Sequence, residues 1–156
     1  MSLDHSPRTV PDAVPDAFDV KLLAFVLAIA LLAASINIAY GGLPFALAAF
    51  TVLTVAGIGA HVRGHRRLRR ATTGLVGRWS EAGGRIETVT RSSRGRTEWT
   101  IRTPDGDVVV SGVALEPLTQ LTVEWNGITE TKPIPTTDDE FDAVADEWYR
   151  EIFDGR

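Results

Sequence analysis

The sequence predicts an α+β protein: a two-helix transmembrane hairpin, then a cytoplasmic domain with a roughly five-stranded antiparallel meander sheet flanked by an amphipathic linker helix and a C-terminal helix. Three observations predict this fold. Two uncharged apolar runs lie near the beginning of the chain, and short β-branched segments separated by turn residues follow them. Residues 138–153 then carry an apolar stripe at helical spacing. A chain of 156 residues has room for one such domain with appendages.

The first apolar run begins after a polar segment. Residues 1–20 hold three prolines and four aspartates, so we predict a disordered N-terminal tail. Residues 22–40 contain no charge, and at 1.5 Å per residue this run reaches about 28 Å, close to the apolar thickness of a bilayer. A cleaved secretory signal and a buried core helix are the competing interpretations, and the polar residues upstream and the context of IAYGG disfavour the signal.

A second uncharged run follows at once, over residues 43–60. Gly41-Gly42 followed by Pro44 predicts a tight turn between the runs, because glycine ends helices and proline starts them. We therefore predict a hairpin over residues 21–62, with spans at about 22–40 and 43–62.

The basic stretch HVRGHRRLRR, residues 61–70, directly follows the second span. Its arginines are Arg63, Arg66, Arg67, Arg69 and Arg70. Basic residues at the ends of spans stay on the cytoplasmic side, so we predict a multi-pass protein of the cell membrane with both termini cytoplasmic. Contact with anionic lipid headgroups is compatible with this role. Nucleic acid is disfavoured as a partner, because residues 71–156 hold nine basic and sixteen acidic side chains, a net charge of −7.

The basic stretch opens a juxtamembrane segment, residues 63–83, which we predict to continue as a linker helix. Its apolar residues recur every three or four positions, and Gly83-Gly84 ends the pattern. The apolar positions are Leu68, Ala71, Leu75, Trp79 and Ala82.

Residues 84–156 form the predicted cytoplasmic domain. Five segments read as consecutive antiparallel strands: RIETVTR, RTEWTIRT, DVVVSGV, QLTVEW and ITETK. In the turn TPDGD we predict a left-handed Gly106, which would place Trp99, Ile101 and Val109 on one face. The dipeptide Asn126-Gly127 predicts a hairpin that pairs Trp125 with Ile128.

The four tryptophans, Trp79, Trp99, Trp125 and Trp148, all belong to the linker helix and the domain. This grouping predicts a compact core between the sheet and its two helices. The alternative is that one or two of them form a surface for a protein partner, because tryptophan is enriched in binding hot spots.

No catalytic constellation is recognisable. The chain has no cysteine and its histidines all precede residue 66, so the domain lacks the usual nucleophile and base pairs. The acidic run Asp138-Asp139-Glu140 with Asp142 suits a helix start better than a cation site. Lys132 beside Pro133 suits a solvated strand edge better than a nucleophile. We predict no cofactor and no metal.

Fourteen arginines against two lysines, with twenty acidic residues, resemble the composition of proteins from extreme halophiles, although a GC-rich genome would also favour arginine. A membrane hairpin followed by a small sheet and a terminal helix resembles bacterial membrane proteins that carry pleckstrin-homology-like domains.

The function we predict is the anchoring of a small interaction domain at the bilayer, with a protein partner or a second copy of the chain. One alternative is an accessory subunit or small oligomeric transport component, and another is a membrane-associated enzyme that uses carboxylates.

Overall fold

The computed structural model describes residues 14–92 and 96–154. The chain begins with one long helix, continues through a five-stranded sheet and ends with a shorter helix. The predicted α+β class, the antiparallel meander and the C-terminal helix are confirmed.

The long helix α1, Val20–Glu81, contains both apolar runs and the linker helix. Asp19 caps its first turn by accepting a hydrogen bond from the Leu22 amide at 2.9 Å. The helix is broken at Gly42, whose φ of 70° and ψ of −168° lie outside the helical region. Only glycine adopts such a backbone conformation readily, and Pro44 then restarts the helical conformation.

Exposed apolar side chains cover the first two thirds of α1. The most apolar 18-residue window is only 11% buried, which is the reverse of what a core helix of a globular domain would have. By length and composition α1 could cross a membrane.

The last third of α1 becomes a core helix. Leu68, Leu75, Val76 and Trp79 are fully buried, as the apolar spacing predicts. The helix ends at Glu81, and Gly83 follows with a φ of 100°, so the predicted glycine stop is confirmed. Ala82 caps the helix and is exposed, so it does not extend the buried stripe.

The sheet has the strand order β1-β2-β3-β4-β5 with every neighbouring pair antiparallel. The strands are Thr88–Arg91, Glu98–Thr103, Gly106–Val113, Gln120–Trp125 and Ile128–Pro133. Alternate residues point to opposite faces, and one face carries the buried side chains that meet α1.

The two hairpin turns differ in how well local sequence predicts their register. Trp125 pairs with Ile128 across Asn126-Gly127, as predicted, and both turn residues have positive φ. In the TPDGD turn, Gly106 has a φ of 136° but pairs directly with Thr103. The loop therefore contains two residues rather than three, and Val108 and Val110 occupy the core face where Val109 was predicted.

The C-terminal helix α2, Asp138–Tyr149, packs against the same core, and a π-helical turn, Arg150–Asp154, follows it. Thr137 caps α2 through a hydrogen bond from the Glu140 amide to its Oγ1 atom at 3.3 Å. Arg78 of α1 binds Asp146 of α2 through two hydrogen bonds of 3.0 Å, which fixes the two helices to each other.

The segment before α1 also packs against the domain. Val14 and Ala17 are each 1% exposed, although the composition predicts a disordered tail over residues 1–20. Residues 14–19 are therefore ordered by a few apolar contacts, which composition averaged over twenty residues hides. The remainder of that predicted tail, residues 1–13, lies outside the described part of the chain.

Candidate functional site at the junction of helix and sheet

The predicted basic cluster lies where α1 changes from an exposed apolar helix to a core helix. Two of its arginines are engaged inside the protein: Arg67 pairs with Glu116 at 3.1 Å, and Arg69 pairs with Asp16 at 3.2 Å. Arg63, Arg66 and Arg70 are exposed, and within residues 14–92 and 96–154 none of them has a hydrogen bond or ion pair.

A shallow depression of about 370 Å³ lies along this part of the helix, lined by Arg66, Arg69, Arg70 and Thr73. Residues three and four apart lie on one side of a helix, which explains why these side chains share it. Arg69 is paired with Asp16, so the positive charge at the depression comes from Arg66 and Arg70, and this charge suits an anionic group.

Two buried histidines lie at the same junction: His61 is 0% exposed and His65 is 2% exposed. The His61 Nδ1 atom donates a hydrogen bond of 2.8 Å to the Ala114 carbonyl, which joins α1 to the segment after β3. The His65 Nε2 atom lies 3.3 Å from the Asp16 carboxylate. The other ring nitrogen of each histidine is buried, and within the described residues it has no hydrogen-bond partner.

Aromatic rings surround the histidine pair. Phe18 lies 4.6 Å from His65 between ring centroids, and Trp99 stacks on His65 at 6.3 Å. The basic stretch predicts no role for the histidines, although their spacing of four residues on a helix indicates a shared face.

Burial lowers the pKa of the His65 imidazole, and the contact with Asp16 opposes this effect only in part. The folded state therefore takes up the proton less readily than the unfolded chain. The neutral His65 imidazole therefore stabilises the folded state. This contribution is complete above the unfolded pKa of about 6.5, and it is lost as pH falls through that value toward the folded pKa.

We expect the free energy of unfolding to decrease as pH falls below about 6.5, and we expect His65→Phe to have a smaller decrease. Phenylalanine keeps the aromatic contact and cannot take up a proton. Urea unfolding in detergent micelles between about pH 8 and about pH 5 measures how steeply the free energy of unfolding of each protein depends on pH. Identical slopes in the two proteins would contradict this account, because His5 and His61 are present in both.

The segment before α1 closes over this cluster through backbone carbonyls. The Arg69 Nε atom donates to the Val14 carbonyl at 2.9 Å, and the Trp99 Nε1 atom donates to the Pro15 carbonyl at 2.8 Å. Arg91 of β1 donates to the Asp16 carbonyl at 3.2 Å. The segment thus contacts α1, β1 and β2 together.

The four tryptophans do not form a partner surface. Trp79, Trp99 and Trp148 are fully buried, and Trp125 is 3% exposed. The compact core predicted for them is confirmed, and the alternative of an exposed docking tryptophan is wrong. Three of the indole groups donate hydrogen bonds: Trp79 to the Ala145 carbonyl at 3.1 Å, Trp99 to the Pro15 carbonyl at 2.8 Å and Trp148 to the Glu130 carboxylate at 2.7 Å.

Other groups with possible chemistry are engaged in the fold. Asp142 of the acidic run lies 3.6 Å from Arg78, and Asp138, Asp139 and Glu140 form the first turn of α2. The described residues contain no group of three or more metal-binding side chains close enough to hold an ion.

Lys132 is an ion-paired residue rather than a free strand-edge lysine. Its Nζ atom lies 2.7 Å from Glu147, and this hydrogen bond raises the pKa of the ammonium group. A nucleophilic lysine needs a lowered pKa, so this environment does not activate Lys132. Within the apolar run, the Asn37 Nδ2 atom donates to the Ala33 carbonyl one turn earlier, at 2.8 Å.

Comparison with protein-family models, with curated proteins and with solved structures finds no match to this chain.

Proposed function

We propose that this protein is a two-span membrane hairpin that holds an α+β interaction domain against the cytoplasmic surface of the bilayer. The observation that carries this proposal is the contact of the segment before α1 with residues far along the chain. Phe18 packs on His65, although a straight helix would separate positions 47 residues apart by about 70 Å. A reversal of the chain at Gly42 accounts for this contact.

A contact inside the apolar region supports the same reversal. A methyl group added to Gly57 would collide with the Cγ1 atom of Val26. In a straight helix these residues would be about 46 Å apart. Both pairs, 18 with 65 and 26 with 57, are symmetric about the break at Gly42, as two antiparallel helices require.

The orientation follows from charge. Five arginines lie at the end of the second half of α1, whereas the turn around Gly42 carries no charge. The positive-inside rule therefore favours cytoplasmic ends and a turn on the opposite side.

The anchor and the domain share one helix, which supports a role in holding the domain at a fixed position. From Pro44 to Glu81 the helix continues from exposed apolar residues into the buried stripe that ends at Trp79. A flexible linker would let the domain move freely, whereas this arrangement fixes its height and direction above the membrane.

The surface that we propose for a protein partner or a second copy of the chain is the sheet face turned away from α1. No helix of the described chain covers it, and its strands combine small polar side chains with the charged side chains of Glu98, Arg102, Asp107 and Glu124. The threonines of this face are Thr88, Thr90, Thr100, Thr122, Thr129 and Thr131.

Crosslinking with carboxylate-reactive reagents in native membranes, read by mass spectrometry, tests this role. We expect links from this face to a second polypeptide or a second copy, and we expect Thr100→Arg at its centre to reduce them. Thr136→Arg, which places the same charge on an exposed position outside the sheet, is the matched control. Links confined to single chains in both proteins would contradict the interaction role.

The unpaired arginines support a further prediction on lipid selectivity. We expect Arg66→Gln and Arg70→Gln each to weaken the preference for anionic over zwitterionic lipid by about fivefold, because one basic residue near the surface contributes about 1 kcal/mol. Spin-labelled phosphatidylglycerol and phosphatidylcholine in reconstituted membranes measure this preference.

The control for this prediction is Arg102→Gln. Arg102 has an exposed side chain near the opposite end of the sheet, where it pairs with Asp107 at 3.7 Å. An equal loss of selectivity in all three variants would indicate a general effect of net charge and would contradict a local lipid site.

A further inference from the structure

The segment between β3 and β4, residues 114–119, is fixed to α1 at the end of its exposed apolar surface. The Glu116 amide donates a hydrogen bond of 3.3 Å to the Ala60 carbonyl, and the Ala114 carbonyl accepts one of 2.8 Å from His61. Gly64 permits this approach, because a methyl group there would lie 2.6 Å from the Ala114 carbonyl carbon. Ile58 is the last large apolar residue exposed on α1, so the loop lies level with that boundary.

The direction of β3 points this loop toward the apolar part of α1. Gly112 lies beside Leu68, whereas Ala114, two residues later, lies beside Gly64 and His61. The strand therefore runs against α1 toward the exposed apolar residues.

Exposed apolar side chains are concentrated at this loop. Outside α1 and the segment before it, the described residues expose three large apolar side chains: Val113 at 43%, Leu118 at 65% and Ile128 at 51%. Val113 directly precedes the loop, and Leu118 lies within it. The third lies at the other end of the sheet, beside the Asn126-Gly127 turn.

The acidic residue of the loop is neutralised. Glu116 pairs with Arg67 at 3.1 Å, so the loop does not present an unpaired carboxylate toward the level of Ala60. An unpaired carboxylate at that level would oppose contact with anionic headgroups and with the apolar core.

We propose that residues 113–118 form a second membrane contact, in which Val113 and Leu118 enter the interface of the same leaflet that the end of α1 crosses. This inference rests on the proposed membrane hairpin and adds a surface to it. The Ala60 and His61 hydrogen bonds hold the loop next to the end of the exposed apolar part of α1. The occupant is therefore the phospholipid interface, which accepts apolar side chains beside charged groups.

Single-cysteine variants test the proposal cleanly, because the chain contains no cysteine. Leu118→Cys, Ile128→Cys and Leu47→Cys in the full-length protein are labelled with the fluorophore NBD and reconstituted into phosphatidylcholine–phosphatidylglycerol vesicles. Ile128 is the matched control, since it is a comparably exposed apolar residue that begins β5 opposite Trp125, about 17 Å along β4 from Gln120. Leu47, which is 58% exposed on the second apolar run, reports on the membrane span itself.

We expect doxyl-labelled lipid to quench the label at residue 118 several-fold more strongly than the label at residue 128, with residue 47 quenched as well. Equal weak quenching at residues 118 and 128, with residue 47 quenched, would overturn the loop proposal and leave the hairpin intact. A label at residue 118 that is blue-shifted but unquenched by lipid would indicate a protein in contact with the loop, and would also overturn it. An unquenched label at residue 47 would overturn the hairpin, and the loop proposal with it.

Discussion

Replacing Trp79 with alanine is expected to lower the free energy of unfolding of the α+β domain by about 3–5 kcal/mol. Trp79 lies in α1 and is fully buried in the core that this helix shares with α2 and the sheet. Its ring centroid lies 6.0 Å from that of Phe153. Truncation leaves a large cavity and removes the donor that binds the Ala145 carbonyl. Urea unfolding of the full-length protein in detergent micelles, followed by the fluorescence of the other three tryptophans, measures the loss.

A second variant separates the two parts of this effect. Trp79→Phe removes the indole donor and part of the ring but keeps most of the apolar volume, so we expect a smaller loss than for alanine. If the alanine variant unfolded at the same urea concentration as the unmodified protein, the assignment of Trp79 to the core would be wrong.

Gly64→Ala is expected to destabilise the domain by about 1–3 kcal/mol, although alanine is the better helix former. The added methyl group would lie 2.6 Å from the Ala114 carbonyl carbon and 2.7 Å from the Leu115 amide nitrogen. Both are backbone atoms, so α1 and the β3–β4 loop would have to separate. The same urea titration, with tryptophan fluorescence as the signal, measures the change.

Gly77→Ala is the matched control for Gly64→Ala. Both glycines lie within α1, but a methyl group at Gly77 would have no atom within 4 Å. There we expect a gain of about 0.5–1 kcal/mol, because alanine loses less conformational entropy in a helix. Changes of the same sign at the two positions would contradict the close approach of the loop to the helix.

Local signals in the sequence predict much of the domain. The dipeptide Asn126-Gly127 specifies its hairpin because both residues accept positive φ, and Gly83 ends α1 for the same reason. The TPDGD turn was harder, because loops of two and of three residues both accommodate its proline and glycine. A three-residue loop places Val109 on the core face, whereas the observed two-residue loop places Val108 and Val110 there.

The junction is less predictable because it depends on contacts between distant parts of the chain. Nothing near Asp16 in the sequence indicates that it lies beside His65 and Arg69, and the prolines around it favour a disordered tail. The histidines were placed within a basic stretch, and only the fold buries them against Phe18 and Trp99. The stretch HVRGHRRLRR after the second apolar run predicts the arginine cluster, but which arginines stay unpaired depends on Glu116 and Asp16.

The reversal at Gly42 is the central claim, and cysteine accessibility tests it most directly. Single cysteines at residues 2, 43 and 87 of the otherwise cysteine-free chain are treated with a membrane-impermeant maleimide in intact cells and again after permeabilisation. We predict that residue 43 is labelled in intact cells, whereas residues 2 and 87 are labelled only after permeabilisation. Labelling of residues 2 and 87 from opposite sides of the membrane would contradict the hairpin and with it the account of the junction.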